Sequence, residues 1–256
     1  MTYNVTGKRI RTENLAGQVT TTAWDGWSVT YNGENCPVLW ENVSTNSHTP
    51  NSSTPPLISM SYDRMGRRVT KNDQRFVYDG YLQIADNAGS AYIWDCTDNI
   101  ATRPLVWNYL TFQPFNVSTS YYSHDGNKNV SEIVASSGEI SAHYEYEPFG
   151  AVLVAYGESV AANPWCFSCE FYDYESATMY YNYRQYNYGE GRWLSYDPLR
   201  GGMVYCNNNP INLRDTLGLV PVSFKTKDLE GKTHDVETVE DVFIDDKTKT
   251  IVNLHG

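Results

Sequence analysis

Short motifs recur along this chain, each with an aromatic residue or histidine, then an acid, and a glycine within a few positions. The clearest are Trp24-Asp25-Gly26, Tyr62-Asp63-Arg64-Met65-Gly66, Tyr78-Asp79-Gly80, His124-Asp125-Gly126-Asn127 and Tyr146-Glu147-Pro148-Phe149-Gly150. In each motif we expect the aromatic residue to close a strand, the acid to cap a turn and the glycine to take a left-handed backbone. Internal repetition of this kind predicts an architecture built from many short strands.

The composition also favours strands over helices. The chain holds 21 Tyr and 7 Trp beside 18 Gly, and aromatic residues favour strands while glycine favours turns. Almost no segment carries an apolar stripe at helical spacing. The net charge of −11 disfavours a nucleic-acid-binding surface. We therefore predict an all-β, antiparallel protein with no nucleic-acid partner.

Alternation of polar and apolar residues locates several strands. Residues 1–43 are interpreted as strands of degenerate repeats, residues 44–57 as a loop, and Val106–Phe115 as either a strand or a packed loop. The predicted strands of the next module are Leu57–Tyr62, Arg67–Lys71 and Gln74–Tyr78, the last running into Tyr81–Ala85, with turns at Met65-Gly66 and Asn72-Asp73.

The clearest predicted hairpin pairs Asn129–Ala135 with Ile140–Tyr146. Because side chains alternate along a strand, its second strand should present two different faces. We expect Ile140, Ala142, Tyr144 and Tyr146 on the buried face, and Ser141, His143, Glu145 and Glu147 on the wet one. A further hairpin, Val242–Ile244 with Thr250–Asn253, is predicted near the end of the chain.

The cysteines and histidines show no ligand spacing. Five scattered cysteines argue against a disulfide framework; they are Cys36, Cys96, Cys166, Cys169 and Cys206. Cys166 and Cys169 form a CxxC, but a zinc site needs a second pair. We therefore expect the thiols to be small buried groups on strands. No metal site is predicted, and no phosphate loop or other cofactor motif is present.

The first residues lack the apolar run of a Sec signal peptide. No stretch approaches the length of a transmembrane helix, so no membrane span is predicted. The sequence leaves the localisation open. The protein could be exported by a specialised secretion system, or it could be a remnant of a larger protein that stays in the cytoplasm.

The segment Tyr180–Leu219 concentrates arginine and aspartate in an aromatic frame rich in Gly, Asn and Pro. The upstream modules resemble the YD repeats of the RHS (rearrangement hotspot) family, and Tyr180–Leu219 resembles the family's RHS-repeat-associated core domain. The match covers about residues 60–219 and is most specific over the core segment. The residues that carry it are Tyr183–Asn187, Gly191–Pro198, Asn208–Pro210 and Asp215–Leu219.

The resemblance implies a YD-repeat sheet that curls or spirals as part of a shell, with a C-terminal plug. It divides the chain into degenerate repeats (1–57), a repeat sheet (58–179), the core segment (180–219) and a variable tail (220–256). It also implies partners: a C-terminal cargo or remnant tail, and an upstream RHS polypeptide or a secretion-system carrier.

The family's core domain is associated with an aspartyl autoprotease that cuts just after the terminal Gly-Leu. The resemblance implies a dyad of Asp197 and Asp215, with Arg184 as the supporting cation and the bond Leu219–Val220 as the one cut. Two close carboxylates share a proton, so one can activate water while the other donates to the peptide carbonyl. The interval between the two aspartates is shorter than in the family pattern, and Thr216 replaces its proline.

Three other interpretations remain open. The three residues could be purely structural: Asp215 could cap a turn, Asp197 could end a strand, and Arg184 could stack on a tyrosine ring. The tail could be a small toxic effector that uses His234 or His255. The protein could also be a β-rich module that binds carbohydrate or protein through exposed Trp24, Trp27, Trp94 and Trp165, although these rings could equally fill the inner face of a sheet.

Overall fold

The computed structural model describes residues 11–13, 19–22, 27–34, 36–42, 57–95, 103–112, 115–197, 202–223, 226–227, 233–234, 242–244 and 251–253. Regular structure in these ranges consists of β-strands and two short 3₁₀ turns, without an α-helix. The predicted all-β, antiparallel fold is therefore confirmed. The Trp24 module and nearly all of the predicted 44–57 loop lie outside the described residues.

The chain forms two compact units, residues 1–77 with 86–88, and residues 78–85 with 89–256. Seven strands begin in the first unit, and each described pair of neighbours is antiparallel. They are β1 Arg11–Glu13, β2 Val19–Thr22, β3 Trp27–Tyr31, β4 Pro37–Asn42, β5 Leu57–Tyr62, β6 Arg68–Lys71 and β7 Gln74–Asp79.

The second unit begins with seven antiparallel strands in chain order. They are β8 Leu82–Asp86, β9 Ser90–Asp95, β10 Arg103–Phe112, β11 Phe115–His124, β12 Val130–Ala135, β13 Ile140–Tyr146 and β14 Val152–Tyr156. Val106–Phe115 is thus mostly strand, which settles its two interpretations. The module at 57–85 is confirmed, with strand ends shifted by one residue.

The rest of the second unit consists of shorter pieces. A four-stranded sheet contains β15 Phe171–Asp173, β16 Thr178–Tyr180, β17 Gln185–Asn187 and β18 Arg192–Trp193. Three two-stranded pairs follow: β19 Leu213–Thr216 with β20 Val220–Ser223, β21 Thr226–Lys227 with β22 Thr233–His234, and β23 Val242–Ile244 with β24 Ile251–Asn253. The last pair confirms the predicted hairpin near the end of the chain.

Three of the recurring motifs share one turn geometry. The backbone N–H of the acid donates to the carbonyl four residues later, from Asp63 to Arg67, Asp125 to Asn129 and Glu147 to Ala151. The residue three positions after the acid is left-handed, with φ of 76° at Gly66, 69° at Lys128 and 93° at Gly150. The expected role of glycine is confirmed at Gly66 and Gly150. It is wrong for Gly126, because Lys128 occupies the left-handed position of that turn.

The predicted β12–β13 hairpin is present with one irregularity. Ala142 pairs with Ile133 and Ile140 pairs with Val134, which leaves Ser141 as an extra, bulged residue. A bulge shifts the alternation of faces by one position. Ile140 is consequently 52% exposed and Ser141 only 6% exposed, contrary to the strict alternation predicted, while Ala142 and Tyr144 are buried as expected.

An aromatic core supports the C-terminal part of the second unit. Its buried members are Phe167, Met179, Tyr181, Tyr186, Trp193, Tyr205, Cys206 and Leu213. The polar tips of its tyrosines find partners: the Tyr181 and Tyr205 hydroxyls lie 3.0 Å apart, and Tyr186 donates to the Phe149 carbonyl at 2.8 Å. Large aromatic rings whose hydroxyls are hydrogen-bonded thus give this part of the unit a core although its strands are short.

The described tryptophans do not form the exposed carbohydrate- or protein-binding surface considered from the sequence. Trp27 and Trp165 are buried, and Trp94 packs edge-on against Trp165 at 4.8 Å. Trp24 lies outside the described residues. The described tryptophans therefore serve packing.

The four described cysteines are free thiols and are buried. They are not on strands as expected: Cys166, Cys169 and Cys206 lie at the two 3₁₀ turns, and Cys36 directly precedes β4. No helix among the described residues is long and apolar enough to cross a membrane.

Candidate active site

Three short elements carry the residues of the candidate site. Arg184 closes the turn between β16 and β17, where Tyr181 and Arg184 exchange backbone hydrogen bonds of 3.0 and 3.2 Å. Asp197 follows β18, and its N–H donates to the Gly202 carbonyl at 2.9 Å. Asp215 is the third residue of β19. Backbone hydrogen bonds or strand pairing thus hold each of the three residues.

The Arg184 side chain brings the two aspartates together. Its Nη2 lies 3.0 Å from Oδ2 of Asp197 and 3.2 Å from Oδ2 of Asp215. The two carboxylate oxygens are therefore no farther apart than the sum of these distances. The side chains are only 2%, 7% and 1% exposed. The cation is thus the common partner of two buried acids. Burying these charges costs desolvation free energy, which only good pairing geometry can offset.

The rest of the guanidinium group is also engaged. Nε of Arg184 donates to the Gly218 carbonyl, and Nη1 donates to the Gly202 carbonyl at 3.4 Å. One face of the group lies over the Trp193 ring, with the guanidinium carbon 4.0 Å from the ring centre. A planar group with five donors can serve all these partners at once, which an ammonium cannot.

The bond predicted to be cut lies beside this cluster. Leu217 and Gly218 are both left-handed, with φ of 60° and 78°, and they form the turn between β19 and β20. Across that hairpin Asp215 pairs with Pro221 and Thr216 pairs with Val220. The Leu219–Val220 bond therefore joins the turn to β20, one residue after the carbonyl that Arg184 holds.

Close packing requires glycine in that turn. A Cβ on Gly218 would lie 3.0 Å from the Tyr181 Cβ and 3.3 Å from the Arg184 nitrogen. The neighbouring Leu217 carbonyl accepts a hydrogen bond of 3.0 Å from Tyr183, and Leu219 is buried. The turn is therefore fixed against the segment that carries Arg184.

Burial dominates the electrostatics of the region. Burial lowers the pKa of Arg184, and the neighbouring Asp215 and Asp197 oppose that shift. Burial raises the pKa of the Cys206 thiol, and Asp215 adds to the effect. Burial likewise raises the pKa of Glu170 to about 8, with Lys128 acting in the opposite direction and Asp215 in the same one. Burial is thus the largest cause of the pKa shift at each of these three groups.

The structure brings together the three residues singled out from the sequence. The shortened interval between Asp197 and Asp215 still places both acids on the same nitrogen. Sequence reasoning missed the Gly218 carbonyl and the Trp193 ring. Both residues belong to motifs that carry the family resemblance. Trp193 lies in Gly191–Pro198, and Gly218 lies in Asp215–Leu219. Arg192 itself pairs with Glu190 at 2.6 Å.

The described part of the chain contains no cluster of three His, Cys, Asp or Glu side chains placed to hold a metal ion. The Cys169 thiol donates to the Lys128 carbonyl at 2.9 Å.

Of the two histidines considered for a toxic tail, the backbone of His234 is described in β22, and His255 lies outside the described residues.

Comparison with solved structures defines the class of fold. The chain superposes on a crystal structure of TcdB2-TccC3-TEV with a TM-score of 0.59 and 17% identity, over 82% of this chain and 13% of that one. It also superposes on the Photorhabdus luminescens Tc holotoxin pore carrying a TccC3 mutation, with a TM-score of 0.60 and 15% identity. That match covers 90% of this chain and 14% of the other. The fold is therefore one found in Tc toxin complexes.

Particular relatives come from comparison of sequences. The chain is 27% identical over 180 residues to the tRNA3(Ser)-specific nuclease WapA of Bacillus spizizenii. It is 25% identical over 176 residues to the tRNA nuclease WapA of Bacillus subtilis strain 168. Each match covers 64% of this chain and 8% of the relative, so the chain spans less than a tenth of their length. No protein-family model matches the chain.

Proposed function

We propose that this chain is the C-terminal part of an RHS-type encapsulating shell that presents a C-terminal polypeptide and cuts itself after Leu219. The observation that carries the proposal is the position of Arg184. It contacts both candidate acids and also the carbonyl of Gly218, one residue before the bond to be cut. One cation thus links the proposed dyad to its proposed substrate.

The shell part of the proposal is supported by the two kinds of similarity. The fold is shared with structures of Tc toxin complexes, and the sequence relatives are WapA nucleases that are far longer than this chain. A longer upstream polypeptide, a secretion-system carrier and a C-terminal cargo belong to this proposal. So do the boundaries 1–57, 58–179, 180–219 and 220–256.

The proposed reaction is hydrolysis of one peptide bond. Water attacks the carbonyl carbon of Leu219, and one of the two carboxylates takes the proton that water loses. The other, protonated acid gives its proton to the nitrogen of Val220 as the C–N bond breaks. The products are a carboxyl group on Leu219 and a free amine on Val220. The two acids end with one proton between them, as they began.

Three physical properties of the site support this chemistry. Two ionised carboxylates beside one guanidinium carry a net negative charge in a buried place, which favours a shared proton. The arginine also supplies fixed positive charge near the carbonyl groups of the turn. Because the substrate is part of the same chain, it is present at high effective concentration.

The test is the intact mass of the purified full-length protein, 29.1 kDa before cleavage. We expect loss of Val220–Gly256 in the wild type and no loss in Asp197→Asn, Asp215→Asn or Arg184→Met. Asp173→Asn is the matched control, because Asp173 is also buried and accepts a 3.0 Å hydrogen bond from Gln185 within the four-stranded sheet. That variant should cleave normally.

A folded wild type that keeps its full mass would overturn the cleavage proposal. Asp197, Asp215 and Arg184 would then be a structural ion-pair cluster within the shell. Near-UV circular dichroism of each variant separates loss of chemistry from loss of folding. The toxic-tail interpretation stays a prediction, and expression of a His234→Ala variant would test it by measuring toxicity.

A further inference from the structure

We propose that Asn127 is a positioning residue that docks a turn of the repeat sheet onto the segment carrying Asp215. Asn127 lies in the turn between β11 and β12, far in sequence from the core segment. The effect on cleavage rests on the function proposed above. The docking itself does not, and it can be measured separately.

The Asn127 side chain uses both ends of its amide on the core segment. Its Nδ2 donates to the Pro210 carbonyl at 2.9 Å, and its Oδ1 accepts a hydrogen bond of 3.2 Å from Nε of Arg214. Nη2 of Arg214 also donates to the Gly126 carbonyl at 2.5 Å. The turn thus holds the chain at two points, one just before β19 and one within it.

Several hydrogen bonds hold the turn that presents Asn127. Oδ1 of Asp125 accepts hydrogen bonds from the backbone of Asn127 at 2.8 Å and of Asn129 at 2.9 Å. Its Oδ2 accepts a third from the Asn129 side chain at 2.8 Å. Oδ1 of Asn129 in turn accepts the N–H of Ser168 at 2.7 Å. The amide of Asn127 is therefore presented in a fixed orientation, which lowers the entropy cost of its bonds.

Arg214 and Asp215 are neighbours in β19, and successive side chains of a strand point to opposite faces. Arg214 faces the turn, while Asp215 faces Arg184. Anchoring Arg214 therefore fixes the rotation of the strand and, with it, the direction of the Asp215 carboxylate. The anchor thus adds to the β19–β20 pairing and to the ion pair with Arg184, which also hold that acid.

The turn itself does not require asparagine at this position. In the equivalent turn of the first unit, Oδ1 of Asp63 accepts the backbone N–H groups of Met65 and Arg67 at 2.9 and 3.1 Å. Met65 occupies the place of Asn127 there. The same backbone geometry thus forms around an apolar residue, so the amide of Asn127 serves the docking contact.

The test compares Asn127→Ala, Asn127→Asp and the matched control Met65→Ala in the full-length chain. The first readout is hydrogen exchange of peptides covering residues 210–223 and, as reference, 171–193, measured with each variant on an Asp197→Asn background so that the Leu219–Val220 bond stays intact. For Asn127→Ala we expect at least about tenfold faster exchange in 210–223 and no change in the reference, because one bond to a charged donor is lost. Asn127→Asp keeps an acceptor for Arg214 and should restore part of the protection. Met65→Ala should leave both peptides unchanged.

The second readout is the rate of self-cleavage, which should fall about tenfold in Asn127→Ala and recover partly in Asn127→Asp. Unchanged exchange in 210–223 would overturn the docking proposal, and so would an equal rise in the reference peptide. If the wild type does not cleave at all, the function proposed above fails, while the exchange result still decides the role of Asn127.

Discussion

The guanidinium carbon of Arg184 lies 4.0 Å from the centre of the Trp193 ring. The indole covers one face of the cation, while the N–H donors, which lie in the plane of the group, are directed toward the two acids and two carbonyl groups. The ring also belongs to the aromatic core. This contact therefore joins the packing of the second unit to the charges of the candidate site.

Replacing Arg184 by lysine should be costly even though the charge is kept. Lysine cannot reach all the partners that the planar group holds. We expect the free energy of unfolding to fall by about 3 kcal/mol, near the cost of breaking a buried ion pair. Urea titration followed by tryptophan fluorescence measures it. Arg192→Lys is the control, because that arginine is 39% exposed and should change stability by less than about 0.5 kcal/mol. Equal losses in the two variants would contradict the prediction.

Two glycines with similar backbones should differ in their tolerance of alanine. Gly138 and Gly150 have φ of 89° and 93°, so both substitutions carry the left-handed penalty of about 1–2 kcal/mol. A Cβ on Gly138 meets nothing within 4 Å, whereas one on Gly150 would lie 2.7 Å from the Phe167 ring. Gly150→Ala should therefore cost about 1–3 kcal/mol more in chemical denaturation. Equal costs would mean that the Phe167 ring moves freely.

His124 should make the protein sensitive to acid. Burial lowers its pKa from 6.5 to about 4, with Arg103 and Lys128 adding to the shift. The unfolded chain therefore binds a proton between these pH values while the folded one does not, so stability present above pH 6.5 is lost as the pH falls toward 4. His124→Gln should remove about 1–2 kcal/mol of this loss, after allowance for partial exposure.

Thermal melts of wild type and His124→Gln at neutral and acidic pH provide the measurement. His143→Gln serves as the control, because His143 lies between Glu132 and Glu145 at 3.5 Å from each. That variant should keep the acid-induced loss attributed to His124. An identical loss in wild type and His124→Gln would assign the acid sensitivity to other groups.

Glu170 should make the stability of the protein sensitive to alkaline pH, in contrast with the acid sensitivity expected from His124. Its pKa is raised from 4.5 to about 8, chiefly by burial, although Lys128 lies 3.9 Å away. The folded chain keeps this proton where the unfolded chain loses it. The contribution to stability is therefore complete below pH 4.5 and is lost as the pH rises through about 8. Glu170→Gln should stabilise the protein in mildly alkaline buffer and have little effect in acid. A destabilised variant in alkaline buffer would show that the ion pair with Lys128 outweighs burial.

The class of fold could be predicted from composition and alternation, whereas the three charged residues of the candidate site were singled out by the family resemblance. Strand positions followed from alternation, and the shared turn followed from the acid and glycine spacing. The exposed position of Ile140 could not be predicted, because the bulge at Ser141 arises from pairing with β12 and not from the pattern of β13 itself.

Contacts between distant segments were the other part that the sequence did not reveal. Nothing in the pattern relates Asn127 to Arg214, since an asparagine in a turn ordinarily bonds its own backbone. The stacking of Arg184 on Trp193 was likewise missed, because tyrosines adjacent in sequence were the nearer candidates. Both contacts depend on how two segments pack, and local periodicity carries no information on that.

Burial of the described thiols makes each of them a reporter of local opening. An alkylating reagent reaches a buried sulfur only when the surrounding structure opens, so its rate measures the free energy of that opening. Cys36 belongs to the first unit and Cys206 to the second, beside Asp215. With the other cysteines replaced by serine, alkylation kinetics would therefore time the opening of each unit on its own, under conditions in which the protein stays folded.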